Sequence, residues 1–167
     1  INGICVIVCP SVVKLNWAKE IREIDKKRSV SVVMAGCKML PTSYIIINYD
    51  ILSRYMDQII KLKPIALIID EAHYCTAITN TGKPNSLRAK CCLTISAFVP
   101  FVWEITGTPF RNKAIELYNI LKIVNHPLSL SFKEFGMTFS GGRKTRKGMT
   151  FSGFTNRDEL NKELNKK

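Results

Sequence analysis

No run of apolar residues in this sequence approaches the roughly 20 that a membrane-spanning helix needs. The longest, around 4–9 and 65–69, are of strand length, and no charged-then-apolar leader precedes them, so the chain reads as soluble. The six cysteines, Cys5, Cys9, Cys37, Cys75, Cys91 and Cys92, include no pair at the two-residue gap of zinc knuckles and ribbons, which argues against a zinc site. Four of them sit in apolar or mixed surroundings where a free thiol acts as a small core residue, the pattern of a reducing, intracellular compartment. Acidic residues are scarce as well: 13 Asp+Glu against 25 Lys+Arg leave a formal charge of +12. Two readings fit that excess, a polyanionic partner such as nucleic acid or lysines that merely solvate helix faces.

What is present is the balance of one globular domain, with 46% hydrophobic and 23% charged residues in a length of 167. Short β-branched apolar runs alternate with helix-patterned stretches, the signature of βαβ units and a parallel sheet covered on both faces. Strands are predicted at 3–9, 29–34, 44–48, 65–69 and 101–105. Val12, Val13, Trp17, Ile21 and Ile24 fall at helical spacing behind Pro10-Ser11. A second helix is predicted at 50–62 with Asp50 as its N-cap, a third at 86–98 and a fourth at 112–124. Residues 76–84 and the basic stretch 140–148 read as loops, the latter flexible, and a last helix is capped by Asn156.

The strongest chemical signal is Asp70-Glu71-Ala72-His73, two acids at the carboxyl end of a buried strand. In an open parallel sheet ligands bind beyond that end, so the pair faces a crevice and not the core. Mg²⁺ held through water by Asp70, with Glu71 orienting an attacking water, is the arrangement that nucleoside triphosphate hydrolysis needs. Downstream, Thr106-Gly107-Thr108-Pro109 follows another apolar strand, and a turn of two hydroxyls, a Gly and a Pro can change its hydrogen bonds with the phosphate state.

In combination with Phe110-Arg111-Asn112, these blocks resemble the Swi/Snf-type branch of superfamily-two helicases. Cys9-Pro10-Ser11 with Asn16-Trp17 resembles that family's first DNA-contacting motif after the nucleotide loop, and Ile46-Ile47-Asn48-Tyr49-Asp50 the next. The tail, with Glu116-Leu117-Tyr118, Phe135-Gly136 and Phe151 to Asn156, is similar to the annealing-helicase (HARP-like) subgroup. The resemblance implies a RecA-like α/β lobe, residues 1–127, followed by an extension at 128–167 with a basic loop and a C-terminal helix. It implies an ATP- and Mg²⁺-dependent motor that remodels or reanneals DNA without reading its sequence, working with a second RecA-like lobe. Asp70 and Glu71 become the Mg²⁺ and water residues, His73 the link to motion, and Thr106 to Pro109 the coupling turn. Pro10, Ser11, Asn16, Trp17, Asn48, Tyr49, Arg111 and Asn112 fall near the DNA backbone. Trp17 has a competing reading as core, because it shares the stripe of Val13, Ile21 and Ile24, and Tyr49 is open in the same way.

One departure from the family pattern is large: the sequence contains no Gly-x-x-x-x-Gly-Lys-Ser/Thr phosphate loop. The lobe is therefore expected to be incomplete, a fragment that does not turn over ATP by itself. The densest basic cluster, Arg143, Lys144, Arg146 and Lys147, either grips phosphates or is a solvated linker. The competing class is a helicase-like module that binds DNA or a protein without hydrolysing ATP; a nuclease or restriction subunit with the same motor motifs is a third.

Overall fold

The computed structural model describes residues 3–109, 113–146 and 148–166. Five parallel strands form one sheet: β1 (Cys5–Cys9), β2 (Val30–Val32), β3 (Tyr44–Asn48), β4 (Ala66–Asp70) and β5 (Phe101–Ile105), in the order β2-β3-β1-β4-β5. Every residue of the central β1 is buried, as a strand covered on both faces requires. Crossover helices supply the cover. Helix α1 (Lys14–Ile24), entered through a 3₁₀ turn at Ser11–Val13, packs its Ala18 and Ile21 on Ile7 and Ile46. On the opposite face α2 (Tyr49–Lys61) and α3 (Leu87–Ser96) close over Val6, Val8, Ile45, Ile47, Leu67 and Ile69.

Element ends differ from expectation in instructive ways. Helix α2 is capped by the extended Asn48 and not by Asp50, because the strand runs into the helix with no intervening residue. At α3 the Ser86 hydroxyl accepts from the Ala89 N–H at 3.1 Å, which sets its start. The predicted fourth helix is a 3₁₀ turn at Ala114–Glu116 leading into α4 (Leu117–Ile123).

A second apolar cluster gathers α4, α5 (Phe132–Phe139) and α6 (Arg157–Leu164) around Tyr118, Leu121, Phe135, Phe139 and Leu160, while Ile123 of α4 belongs to the core of the sheet. Stretch 140–148, expected as a flexible loop, holds paired strand at 143–145. It contributes β6 (Arg143–Thr145), which pairs antiparallel with β7 (Gly148–Thr150). Asn156 precedes α6 in a left-handed conformation (φ 50°), and its side-chain amide donates to the Thr138 carbonyl instead of capping the helix.

Strand β5 is an edge whose face runs against its alternation. Phe101, Trp103 and Ile105 are exposed, whereas the carboxyl oxygens of Glu104 are buried without a hydrogen-bond partner. Helix α1 covers the β1–β3 side of that face, so nothing among the described residues covers the aromatic side of β5.

Candidate functional site

Parallel register brings the chemistry to one sheet edge. Cys9 lies opposite Asn48, and Asp70 opposite Ile105, so the residues that leave these strands share the carboxyl end of the sheet. Asp70 closes β4. Its Oδ2 accepts from the Trp17 indole N–H at 2.8 Å, and its main-chain carbonyl accepts from the Tyr49 hydroxyl at 2.7 Å. Trp17 thus does two things at once: its ring packs partly against the α1-side core and its polar edge reaches the acid.

Glu71 leaves the strand in the left-handed region (φ 54°, ψ 51°), which costs a non-glycine residue of order 1 kcal/mol. The turn aims its carboxylate at His73, whose Nδ1 lies 3.0 Å from Glu71 Oε2 and 3.4 Å from Thr106 Oγ1. Thr106 Oγ1 also accepts from the Thr108 N–H at 3.2 Å, so the hydroxyl that faces His73 organises the turn. Gly107 and Thr108 are exposed and Pro109 half-buried. Glu71 and the turn at Thr106 therefore meet through one imidazole, while Asp70 is held separately by Trp17 and Tyr49.

Asn48 is fixed from below. Its Oδ1 accepts from Lys14 Nζ at 2.9 Å, and the same ammonium donates to the Val33 carbonyl at 3.0 Å. Lys14 is itself buried, on the stripe it shares with Ala18 and Ile21; the sequence reading missed it, although the four- and three-residue spacing carries the signal. Pro10 and Ser11 stand at the same edge beside Tyr49. Asn16 is exposed on α1. Arg143, Lys144 and Arg146 are exposed on the β6–β7 hairpin. Arg111, Asn112 and Lys147 lie outside the described residues.

Burial sets the protonation of the surrounding groups. The Cys9 thiol is pushed up to about 12, first by desolvation and then by the Asp70 charge, and Cys5 to about 11 by desolvation, so neither is a nucleophile at neutral pH. Desolvation, with Cys75 nearby, raises the Glu104 carboxyl to about 9, and burial lifts Tyr49 as well. No three His, Cys, Asp or Glu side chains among the described residues are grouped to hold a metal ion. A cation bound here would be of the Mg²⁺ kind, taking one carboxylate, waters and ligand phosphates, and among the described residues Asp70 keeps one carboxylate oxygen without a protein partner.

A parallel five-stranded sheet with helices on both faces and paired acids at a strand's carboxyl end has the architecture of a RecA-like lobe. Residues 3–166 match the SNF2-related domain, and the chain belongs to that family, within superfamily-two helicases. Among its relatives is the SWI/SNF-related matrix-associated actin-dependent regulator of chromatin subfamily A-like protein 1 of Xenopus tropicalis. It is 27% identical over 158 residues, covering 92% of this chain and 16% of the relative. The Caenorhabditis elegans homolog is 27% identical over 160 residues, covering 92% of this chain and 22% of the homolog. These relatives are of the HARP subgroup, to which the tail motifs point. DNA repair protein RAD5A of Arabidopsis thaliana is 28% identical over 139 residues, covering 74% and 13%. In fold, the chain is similar to the Sulfolobus solfataricus SWI2/SNF2 ATPase core in complex with dsDNA, with a TM-score of 0.73 and 22% identity over 97% of this chain and 32% of that one.

Proposed function

We propose that this chain is the part of an ATP-driven DNA translocase lobe that joins the hydrolytic acids to the DNA-facing edge. The observation that carries this is the pair of hydrogen-bonded connections from adjacent acids: Asp70 to Trp17 behind β1, and Glu71 through His73 to Thr106 behind β5. Bound Mg²⁺-ATP would supply a phosphoanhydride whose developing charge the cation neutralises. In this reading Asp70 presents its free oxygen to the Mg²⁺ water shell, and Glu71, oriented by His73, holds the attacking water. The turn from Thr106 to Pro109 shifts with the nucleotide state.

Along the same edge, Pro10, Ser11, Asn16, Trp17, Asn48 and Tyr49, with Arg111, Asn112 and the basic hairpin, would follow the DNA backbone, where such contacts position without reading bases. The residues present fit the metal side of the site and not the phosphate cradle. The uncovered apolar face and unpaired outer edge of β5 support a further strand and helix there, bringing the phosphate loop. Completion by a second lobe and strand reannealing or fork remodelling belong to the longer protein, since the chain spans only 16% of the relative's length.

The test is ATP hydrolysis by a longer protein carrying this chain, with and without double-stranded and forked DNA. We expect DNA to stimulate turnover. Glu71→Gln should keep nucleotide binding and lower turnover by at least about 100-fold. Retained turnover removes Glu71 from the role, whereas no hydrolysis by the unsubstituted protein under any condition leaves a binding module.

A further inference from the structure

Beside the acids lies a small cavity of about 130 Å³ lined by Pro10, Ser11, Tyr49, Asp50, Tyr74 and Arg88. Arg88, in the first turn of α3, has its guanidinium over two rings, 5.9 Å from the centroid of Tyr49 and 5.1 Å from that of Tyr74. Contact with both rings restrains the guanidinium before any ligand arrives. One amine donates to Asp50 Oδ1 at 2.7 Å, in an ion pair whose side chains are 40% and 59% exposed. Among the described residues the remaining guanidinium donors have no protein partner, and Arg88 and Ser11 both line the cavity. Opposite the pair, Asn48 Nδ2 lies 3.4 Å from Asp50 Oδ2. Asn48 is itself held by the buried Lys14.

We propose that this cavity is a phosphodiester site in which Asp50 occupies Arg88 until a DNA backbone phosphate replaces it; the proposal rests on the DNA-binding reading above. Size and donors select the ligand. The space suits one phosphate and not a base, and a flat, partly desolvated guanidinium in a cavity also lined by a serine is matched to tetrahedral oxyanions. The exchange is inexpensive because the Asp50 side chain is more than half exposed and, once released, keeps the Asn48 amide. Both rings that hold Arg88 also touch the acidic edge: the Tyr49 hydroxyl binds the Asp70 carbonyl, and Tyr74 stacks on His73 at 4.6 Å. A phosphate seated here lies one side chain from each acid's support.

Fluorescence anisotropy with a short labelled DNA duplex, over a salt series, tests this in four forms of the chain: unsubstituted, Arg88→Ala, Asp50→Asn and the double variant. Arg88→Ala is expected to weaken binding about tenfold and to lower the slope of log affinity against log salt by about 1. Asp50→Asn is expected to tighten binding about threefold by releasing the guanidinium. That gain should vanish in the Arg88→Ala background. If the double variant keeps the gain, Asp50 acts through general charge and the exchange is wrong. If the unsubstituted chain binds DNA and Arg88→Ala leaves the slope unchanged, the cavity is not a phosphate site although the DNA reading stands. No binding by the unsubstituted chain overturns both. Circular dichroism identifies any unfolded variant, and should Arg88→Ala be one, Asp50→Asn alone decides, because a failure to tighten overturns the gate.

Discussion

Glu104 is the residue most at odds with its surroundings. Both carboxyl oxygens are buried without partners, and desolvation lifts its pKa to about 9 from an ordinary 4.5. The folded chain therefore keeps a proton that the unfolded chain loses. The contribution of this carboxyl to stability is therefore largest below about 4.5 and falls as pH rises toward about 9, by up to roughly 1.4 kcal/mol per pH unit. Urea unfolding from about pH 5 to about pH 9 should show that decline. Glu104→Gln should flatten it, and Glu104→Leu should also raise stability near neutral pH by roughly 2 kcal/mol. An unchanged decline in Glu104→Gln would assign it to other groups. Sequence alone could not have found this residue, because alternation along Phe101-Val102-Trp103-Glu104-Ile105 places the aromatics inside and the acid outside. Asp70, Glu71, His73 and Thr106 were legible because a strand's end fixes where its last residues go. The Trp17 bond to Asp70 was not, since a shared helical stripe says that a ring is buried and not where its N–H points.

At the level of elements, strands were readable where burial on both faces demands an unbroken apolar run, as in β1, β3 and β4. One helix and two strands escaped for opposite reasons. Helix α5 carries Gly136, which weakens a helical reading, yet a Cβ there would sit 2.4 Å from the Phe151 ring, so packing and not propensity explains the glycine. Strands β6 and β7 are three-residue, exposed and polar, and their pairing rests on backbone hydrogen bonds that leave no pattern in the side chains. That hairpin displays Arg143, Lys144 and Arg146 on a paired scaffold, where ordered cations meet a polyanion with less entropy to lose than on a free loop. Replacing the three with Ser should lower the salt dependence of duplex binding by up to about 3 in slope, at about 0.9 for each phosphate no longer neutralised. An unchanged slope makes the hairpin a connector. Because Arg88 lies elsewhere, the effects of the hairpin and cavity substitutions should add.

For the whole molecule, the reversed alternation of β5 has a simple cause if the sheet is part of a larger one. Phe101 and Trp103 stack at 6.1 Å, and Trp103 is 47% exposed, a placement that makes sense for a layer meant to be covered. Helix α1 cannot provide that cover, because its buried stripe is already spent over β1 to β3. Solvent access to Trp103 therefore measures whether the lobe is complete. In a Trp17→Phe background Trp103 is the single indole, so its quenching by acrylamide reports on this face alone. In the 167-residue chain it should be quenched readily. Within a longer protein carrying the phosphate loop, the quenching constant should fall severalfold and the emission should shift to the blue as water leaves the ring. Equal quenching in the two would mean that the β5 face stays open in the assembled motor. It would also count against a further strand and helix packing there, as proposed above.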